Sequence, residues 1–188
     1  MTGIWKPGRR CGCNMLIKDA PVNSLTRLQV FIVTHRSVLF EHAIQKVLAD
    51  EGGYVNHKND KGGETNFGIS KRSYPDVDIK NLTVEQAKDI YYRDFWQKGP
   101  YDKLACGPLA EKVFNTAVNA GNSRAFKLLQ QAANACGAKL VIDGVVGPKT
   151  IAAINSLDGK EVLEQYRIEQ ANFYYSIVAR DPNQRVLS

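Results

Sequence analysis

Two carboxylates and a hydroxyl lie close together in one glycine-rich segment of the sequence. Glu51 precedes Gly52-Gly53, Asp60 follows Glu51 after eight intervening residues, and Thr65 follows Asp60 after four more. Most enzymes that hydrolyse glycosides use two carboxyl groups, one on each side of the bond that is cleaved. The same spacing also fits a solvated helix end followed by a turn, so the residues alone leave both interpretations open.

The residues before Glu51 predict the element that positions it. Phe40, Ile44, Val47 and Leu48 recur at helical spacing, and the glycines after Glu51 end that helix. The negative end of a helix dipole disfavours an ionised carboxylate, and partial burial adds to this effect. We therefore expect Glu51 to keep its proton near neutral pH, as a general acid must.

The rest of the chain predicts a mostly α fold with a small irregular hairpin or loop over residues 54–70 that carries the site. Residues 1–36 show no clear periodicity and stay unassigned. Four to six helices are predicted. The first begins at Ser37, and the second begins at a capping box formed by Thr83 and Gln86 and runs to about Gln97. The others cover 108–120, Ser123 (as the cap) to about Cys136, Pro148 to about Asn155, and about Lys160 to Arg180.

Composition narrows the class of protein. The 188 residues are 44% hydrophobic with a net charge of +6, so a real core and an attraction to polyanions are expected. Nucleic acid, anionic membrane and bacterial cell wall all fit this charge, but no basic run marks a nucleic-acid binder. No apolar stretch is long enough for a membrane span. The four cysteines and three histidines lack zinc-ligand spacing, so no zinc site is expected. Neither a metal nor an organic cofactor is implied by the overall reading of the sequence.

The stretch EGGYVNHKNDKGGETNFGIS, residues 51–70, closely resembles the signature of glycoside hydrolase family 108, peptidoglycan N-acetylmuramidases of bacteria and phages. It also resembles the phage lysozyme pattern, in which the gap before the threonine is about five residues rather than four. The resemblance implies a lysozyme-like helical domain with Glu51 as general acid. It implies that Asp60 and Thr65 hold the attacking water or stabilise the cationic sugar.

The stretch DGVVGPKT, residues 143–150, looks like the small peptidoglycan-binding motif that accompanies the family's catalytic part. A turn followed by a helix would explain it equally well. The resemblance divides the chain into a lysozyme-like catalytic region over 37–136 and a small peptidoglycan-binding region over 137–188 packed on it. Further candidate substrate-binding residues are Tyr54, Asn115, Asn119, Asp143 and Thr150.

Together these features predict a monomeric hydrolase of the β-1,4 bond between N-acetylmuramic acid and N-acetylglucosamine in peptidoglycan. The basic start is not followed by an apolar segment, so no signal peptide is expected. Synthesis in the cytoplasm is therefore expected, and the resemblance to phage lysozymes implies holin-type release to the cell wall or periplasm, as for an endolysin. The main rival is a non-catalytic peptidoglycan-binding or secretion-accessory protein. A basic helical nucleic-acid binder is a more distant one.

Overall fold

The computed structural model describes residues 36–50, 53–56 and 63–180. In these residues the chain forms six α-helices and one two-stranded hairpin, which confirms the predicted mostly α fold. The described residues fall into two compact units, one ending at Gly99 and the other beginning at Pro100. None of the described helices is both long and apolar enough to cross a membrane.

The first unit contains α1 (Val38–Asp50), β1 (Thr65–Asn66), β2 (Ile69–Ser70) and α2 (Val84–Tyr91), followed by a π-helical segment (Tyr92–Trp96). The predicted apolar stripe of α1 is its buried face, because Phe40, Ile44 and Val47 are shielded from solvent. The Phe40 ring meets the rings of Tyr92 and Trp96 edge-on, with centroids 5.0 and 5.3 Å away. Trp96 is therefore a core residue.

Polar contacts fix the start of α2 and tie it to α1. The predicted capping box is present: the Thr83 hydroxyl accepts from the Gln86 backbone N–H, and the Gln86 side chain accepts from the Thr83 N–H. Beside it, Arg36 donates to the carboxylates of Glu41 and Glu85 at 3.3 and 3.0 Å. These ion pairs hold the first turns of the two helices together.

The second unit contains a 3-10 turn (Tyr101–Lys103), α3 (Gly107–Ala120), α4 (Asn122–Ala135), α5 (Pro148–Asn155) and α6 (Gly159–Arg180). Helices α3, α4 and α6 pack against one another around the buried side chains of Phe114, Leu129 and Tyr166. Two buried hydrogen bonds cross this core, from the Gln170 amide to the Thr116 hydroxyl at 2.8 Å and from the Tyr166 hydroxyl to the Ala125 carbonyl at 3.4 Å.

One predicted helix end is confirmed and one predicted cap was wrong. The helix after Thr83 continues to Trp96 with Gln97 as its cap, but its regular α-helical part ends at Tyr91 and the rest is a wider π turn closed by a Gln97 N–H to Tyr92 carbonyl bond. Ser123 is not a cap, because α4 begins at Asn122 and Gly121 is the capping residue. The predicted lead-in before residue 36 lies outside the described residues, and the boundary at residue 136 stays a prediction.

Candidate active site

The hairpin in the glycine-rich segment is closed by a tight two-residue turn. Thr65 pairs with Ser70 and Asn66 with Ile69, which leaves Phe67 and Gly68 as the loop. Both loop residues have positive φ, 51° and 73°, the combination that a type I′ hairpin turn requires. Glycine adopts this conformation readily, whereas a phenylalanine there is strained and must be held by its surroundings.

Two buried polar contacts hold this turn in place. The Tyr91 hydroxyl donates to the Phe67 carbonyl at 2.9 Å, from the last turn of α2. The buried Asn66 amide donates to the Ile79 carbonyl at 3.0 Å. Both partners come from residues that the sequence does not mark as part of a site. Their contacts fix the hairpin against the rest of the first unit.

Thr65, one of the predicted catalytic residues, is the central residue of this small sheet. Its backbone N–H and carbonyl exchange two hydrogen bonds of 2.8 Å with Val55, so a third extended segment lies alongside β1. Because side chains alternate along a strand, the Thr65 side chain lies on the face opposite the buried Asn66. On the other side of β1, the neighbouring Glu64 carbonyl accepts from the Lys71 N–H at 2.9 Å, so the half-buried Thr65 lies between two extended segments.

A small polar cluster lies beside Thr65 on the same segment. The Tyr54 hydroxyl donates to a Glu64 carboxylate oxygen at 3.0 Å and accepts from the Asn56 amide at 3.2 Å. Tyr54 stays substantially exposed, so its ring edge and these polar groups are open to a ligand. Tyr54 was predicted to contact substrate. Asn56 and Glu64 were not, although their place inside the motif was a signal for them.

The two carboxylates with the main predicted roles, Glu51 and Asp60, lie outside the described residues. Helix α1 is described as far as Asp50, the residue before Glu51. The helix end predicted at the Gly-Gly pair stays a prediction. The catalytic roles of Glu51, Asp60 and Thr65 stay predictions.

In the second unit, one of the two predicted substrate-binding asparagines makes a local hydrogen bond. The Asn119 amide donates to the backbone carbonyl of Asn115, one turn earlier in α3, at 3.0 Å. Asn119 is exposed and Asn115 is half-buried. This local bond engages part of the hydrogen-bonding capacity of Asn119, and substrate contact by either residue stays a prediction.

The DGVVGPKT segment is fastened to α4 through one buried side chain. Gln130, only 1% exposed, donates to the Asp143 carboxylate at 2.8 Å and accepts from the Gly144 N–H at 2.8 Å. The same Asp143 oxygen accepts from the Val145 N–H at 2.8 Å. The Gln130 bond, followed by the Val145 bond, lowers the pKa of Asp143 below its ordinary range. One oxygen of this predicted wall-binding carboxylate is thus engaged in holding its own loop.

The glycine in this turn is required by its conformation and by its neighbours. Gly144 has φ +80°, and a Cβ built there would lie 3.0 Å from the Ser123 carbonyl oxygen. Thr150, the last predicted binding residue, is half-buried in the first turn of α5, after Pro148. The turn-and-helix geometry expected for DGVVGPKT is therefore present, and its contact with the wall stays a prediction.

Comparison with known proteins agrees with the resemblance seen in the sequence. Residues 44–121 match the family described as Glycosyl hydrolase 108, and residues 124–187 match the family described as Predicted Peptidoglycan domain. No curated protein matches. Among eleven matching chains of solved structure is Brucella abortus SagA, 29% identical with a TM-score of 0.60. That match covers 78% of this chain and 88% of the other.

Proposed function

We propose which bond of peptidoglycan this protein cleaves. The matches of residues 44–121 to glycosyl hydrolase 108 and of residues 124–187 to a peptidoglycan domain indicate a glycoside hydrolase that acts on peptidoglycan. The bond is the β-1,4 linkage between N-acetylmuramic acid and N-acetylglucosamine. The observation that carries this proposal is the extent of the family match. It spans the whole segment that contains Glu51, Asp60 and Thr65.

In this proposal Glu51 is the general acid. It follows the last residue of α1, where the helix dipole opposes ionisation and favours the protonated carboxyl group. Its proton passes to the glycosidic oxygen as the bond to the anomeric carbon breaks, and positive charge develops on the sugar ring. Water then adds to the anomeric carbon and completes the hydrolysis.

Asp60 and Thr65 act on that water. Asp60 accepts a proton from the attacking water as general base, while the Thr65 hydroxyl orients it. The two backbone hydrogen bonds between Thr65 and Val55 support this role, because a group that orients water must itself be held still. A loop carboxylate with a hydroxyl partner suits water activation better than covalent attack, so we propose inversion at the anomeric carbon.

Substrate contacts come from both units in this proposal. Tyr54, Asn56 and Glu64 offer an exposed phenol, an amide and a carboxylate to sugar hydroxyl and acetamido groups. The DGVVGPKT segment contributes to retention on the wall. We propose that the protein acts as a monomer at the cell wall or in the periplasm, as a phage-type lytic enzyme released through a holin.

Mass spectrometry of digested peptidoglycan tests the bond. Purified protein is expected to release fragments that end in a reducing N-acetylmuramic acid. Glu51→Gln keeps the shape of the side chain and removes its titratable proton, so the rate should fall at least about a hundredfold. Asp76→Asn is the matched control, because it makes the same chemical change at an exposed residue of the same unit.

Two results would contradict the proposal. Fragments ending in reducing N-acetylglucosamine would move the cleaved bond to the other linkage of the strand. A Glu51→Gln variant as active as the Asp76→Asn control would remove the general acid from Glu51. Tight binding to the wall without any new reducing end would favour the rival, a non-catalytic peptidoglycan-binding or secretion-accessory protein.

A further inference from the structure

The loop between α4 and α5 presents three aliphatic side chains to solvent. Val141 is 76% exposed, Val145 66% and Ile142 45%, and we call these three residues the aliphatic loop. Single exposed apolar residues are ordinary on a protein surface. Three within five consecutive residues form a concentration of exposed apolar surface, which is typical of a contact site.

Hydrogen bonds from side chains of α4 hold the aliphatic loop in a fixed conformation. Asn134 on α4 donates to the Leu140 carbonyl at 2.8 Å and accepts from the Leu140 N–H at 2.7 Å. One turn earlier on the same helix, Gln130 holds the Asp143–Val145 turn through three hydrogen bonds of 2.8–3.0 Å. A loop held at both points loses little further freedom when it binds, which favours its use as a binding surface.

The charges around the loop are positive and available. Lys139 and Lys149 flank it and are exposed, and within the described part of the chain neither forms an ion pair. Asp143 is the one acidic residue between them in the sequence, and one of its oxygens is already bonded to Gln130 and Val145. A ligand with carboxylates beside small apolar groups is complementary to this surface.

Peptidoglycan offers two chemically different parts to such a surface. Its glycan strands present sugar rings with hydroxyl and acetamido groups, for which exposed aromatic rings are the usual platform. Its stem peptides present alanyl methyl groups and carboxylates. No aromatic residue occurs between Phe126 and Tyr166, so the aliphatic loop has no such platform within its own stretch of sequence.

We infer that the aliphatic loop, with Lys139 and Lys149, is a binding site for the stem peptides of peptidoglycan rather than for its glycan strands. The inference rests on the proposed function, since it takes peptidoglycan as the substrate. Methyl groups of the peptide contact Val141, Ile142 and Val145, and the peptide carboxylates face the two lysines.

Calorimetric titration of the full chain with two soluble probes tests this site. One probe is the disaccharide of N-acetylglucosamine and N-acetylmuramic acid carrying a tetrapeptide stem, and the other is the same disaccharide without peptide. We expect the first to bind at least about tenfold more tightly, the effect of burying one or two aliphatic side chains.

Two double variants assign the contact, each with a matched control. Val141→Ser with Val145→Ser should weaken binding of the peptide-bearing probe about tenfold, while Ile168→Ser, at an exposed position on α6, should not. Lys139→Gln with Lys149→Gln should weaken it about three- to fivefold at low salt and less at high salt, as for exposed ion pairs. Lys160→Gln is the control for that pair.

The outcomes separate this inference from the proposed function. Equal affinity for the two probes, or a preference for peptide that survives both double variants, overturns the inference even if the enzyme cleaves peptidoglycan normally. Loss of the preference in the loop variants alone supports it. Release of reducing ends from whole peptidoglycan by the unaltered protein is scored separately, so a failure there counts against the proposed hydrolysis and not against the loop.

Discussion

Replacing Gln130 with methionine tests whether one buried amide holds the 143–150 turn. Methionine keeps the length of the side chain but cannot make the three hydrogen bonds that join Gln130 to Asp143, Gly144 and Val145. Gln130 is 1% exposed, so its partners lose bonds that water replaces only in part. At roughly 1 kcal/mol for each bond, we expect the free energy of unfolding to fall by about 2–3 kcal/mol.

The loss should depend on pH in a direction that the structure fixes. The Gln130 hydrogen bond is the largest cause of the lowered pKa of Asp143. A carboxyl whose pKa is lowered by folding stabilises the protein above its unfolded pKa, and this contribution disappears as the pH falls. Gln130→Met removes part of that contribution, so the gap between variant and wild type should narrow below the ordinary Asp pKa of about 4.

Urea unfolding followed by far-UV circular dichroism, at about pH 7 and about pH 3, measures both effects. Gln131→Met is the control, because this neighbour is half-buried on the same helix and lies outside the network around Asp143. An NMR titration of the Asp143 carboxyl should show its pKa rising in the Gln130 variant alone. Equal losses for the two variants, or a gap that does not change with pH, would refute the reasoning.

Three further outcomes are expected. Tyr91→Phe removes the hydrogen bond to the Phe67 carbonyl, so the free energy of unfolding should fall by about 1 kcal/mol. The value of kcat should fall by a larger factor than KM changes. Tyr92→Phe is the control, and equal kinetics for the two variants would contradict a role for this bond in holding the turn. A hydrogen bond from Arg93 is the largest cause of the lowered pKa of Asp94, about 2, so stability should be lost as the pH falls from about 4 toward that value. Asp94→Asn should flatten this acid dependence in urea titrations, and an unchanged slope would show that the contact contributes nothing. Proton NMR of the first-formed reducing sugar should show the α-anomer, because inversion of a β-linkage gives α, and a β-anomer appearing first would make Asp60 a nucleophile.

Helix positions were predictable because they depend on local patterns. The apolar repeat of α1, the Thr83–Gln86 capping box and Pro148 at the start of α5 each act within a few residues of the chain. The family resemblance likewise lay in one continuous segment, and the match over residues 44–121 confirms it.

The supports of the candidate site were not predictable, because they join residues far apart in sequence. Tyr91 reaches the carbonyl of Phe67 from a helix 24 residues later, and nothing near Phe67 marks it for a left-handed conformation. The predicted cap at Ser123 was wrong, although serine commonly caps helices, because Gly121 is the capping residue and the helix begins at Asn122.

Asp143 shows most clearly the difference between what local sequence predicts and what the fold adds. The turn at Asp143-Gly144 was predictable from local sequence, since an aspartate before a glycine favours one through its own backbone contacts. The role of the carboxylate was not predictable, because its partner Gln130 lies on α4 and is buried there by packing. The sequence gives the chemical type of each side chain. Whether its donors and acceptors remain free to bind a ligand depends on which distant groups the fold brings within about 3 Å.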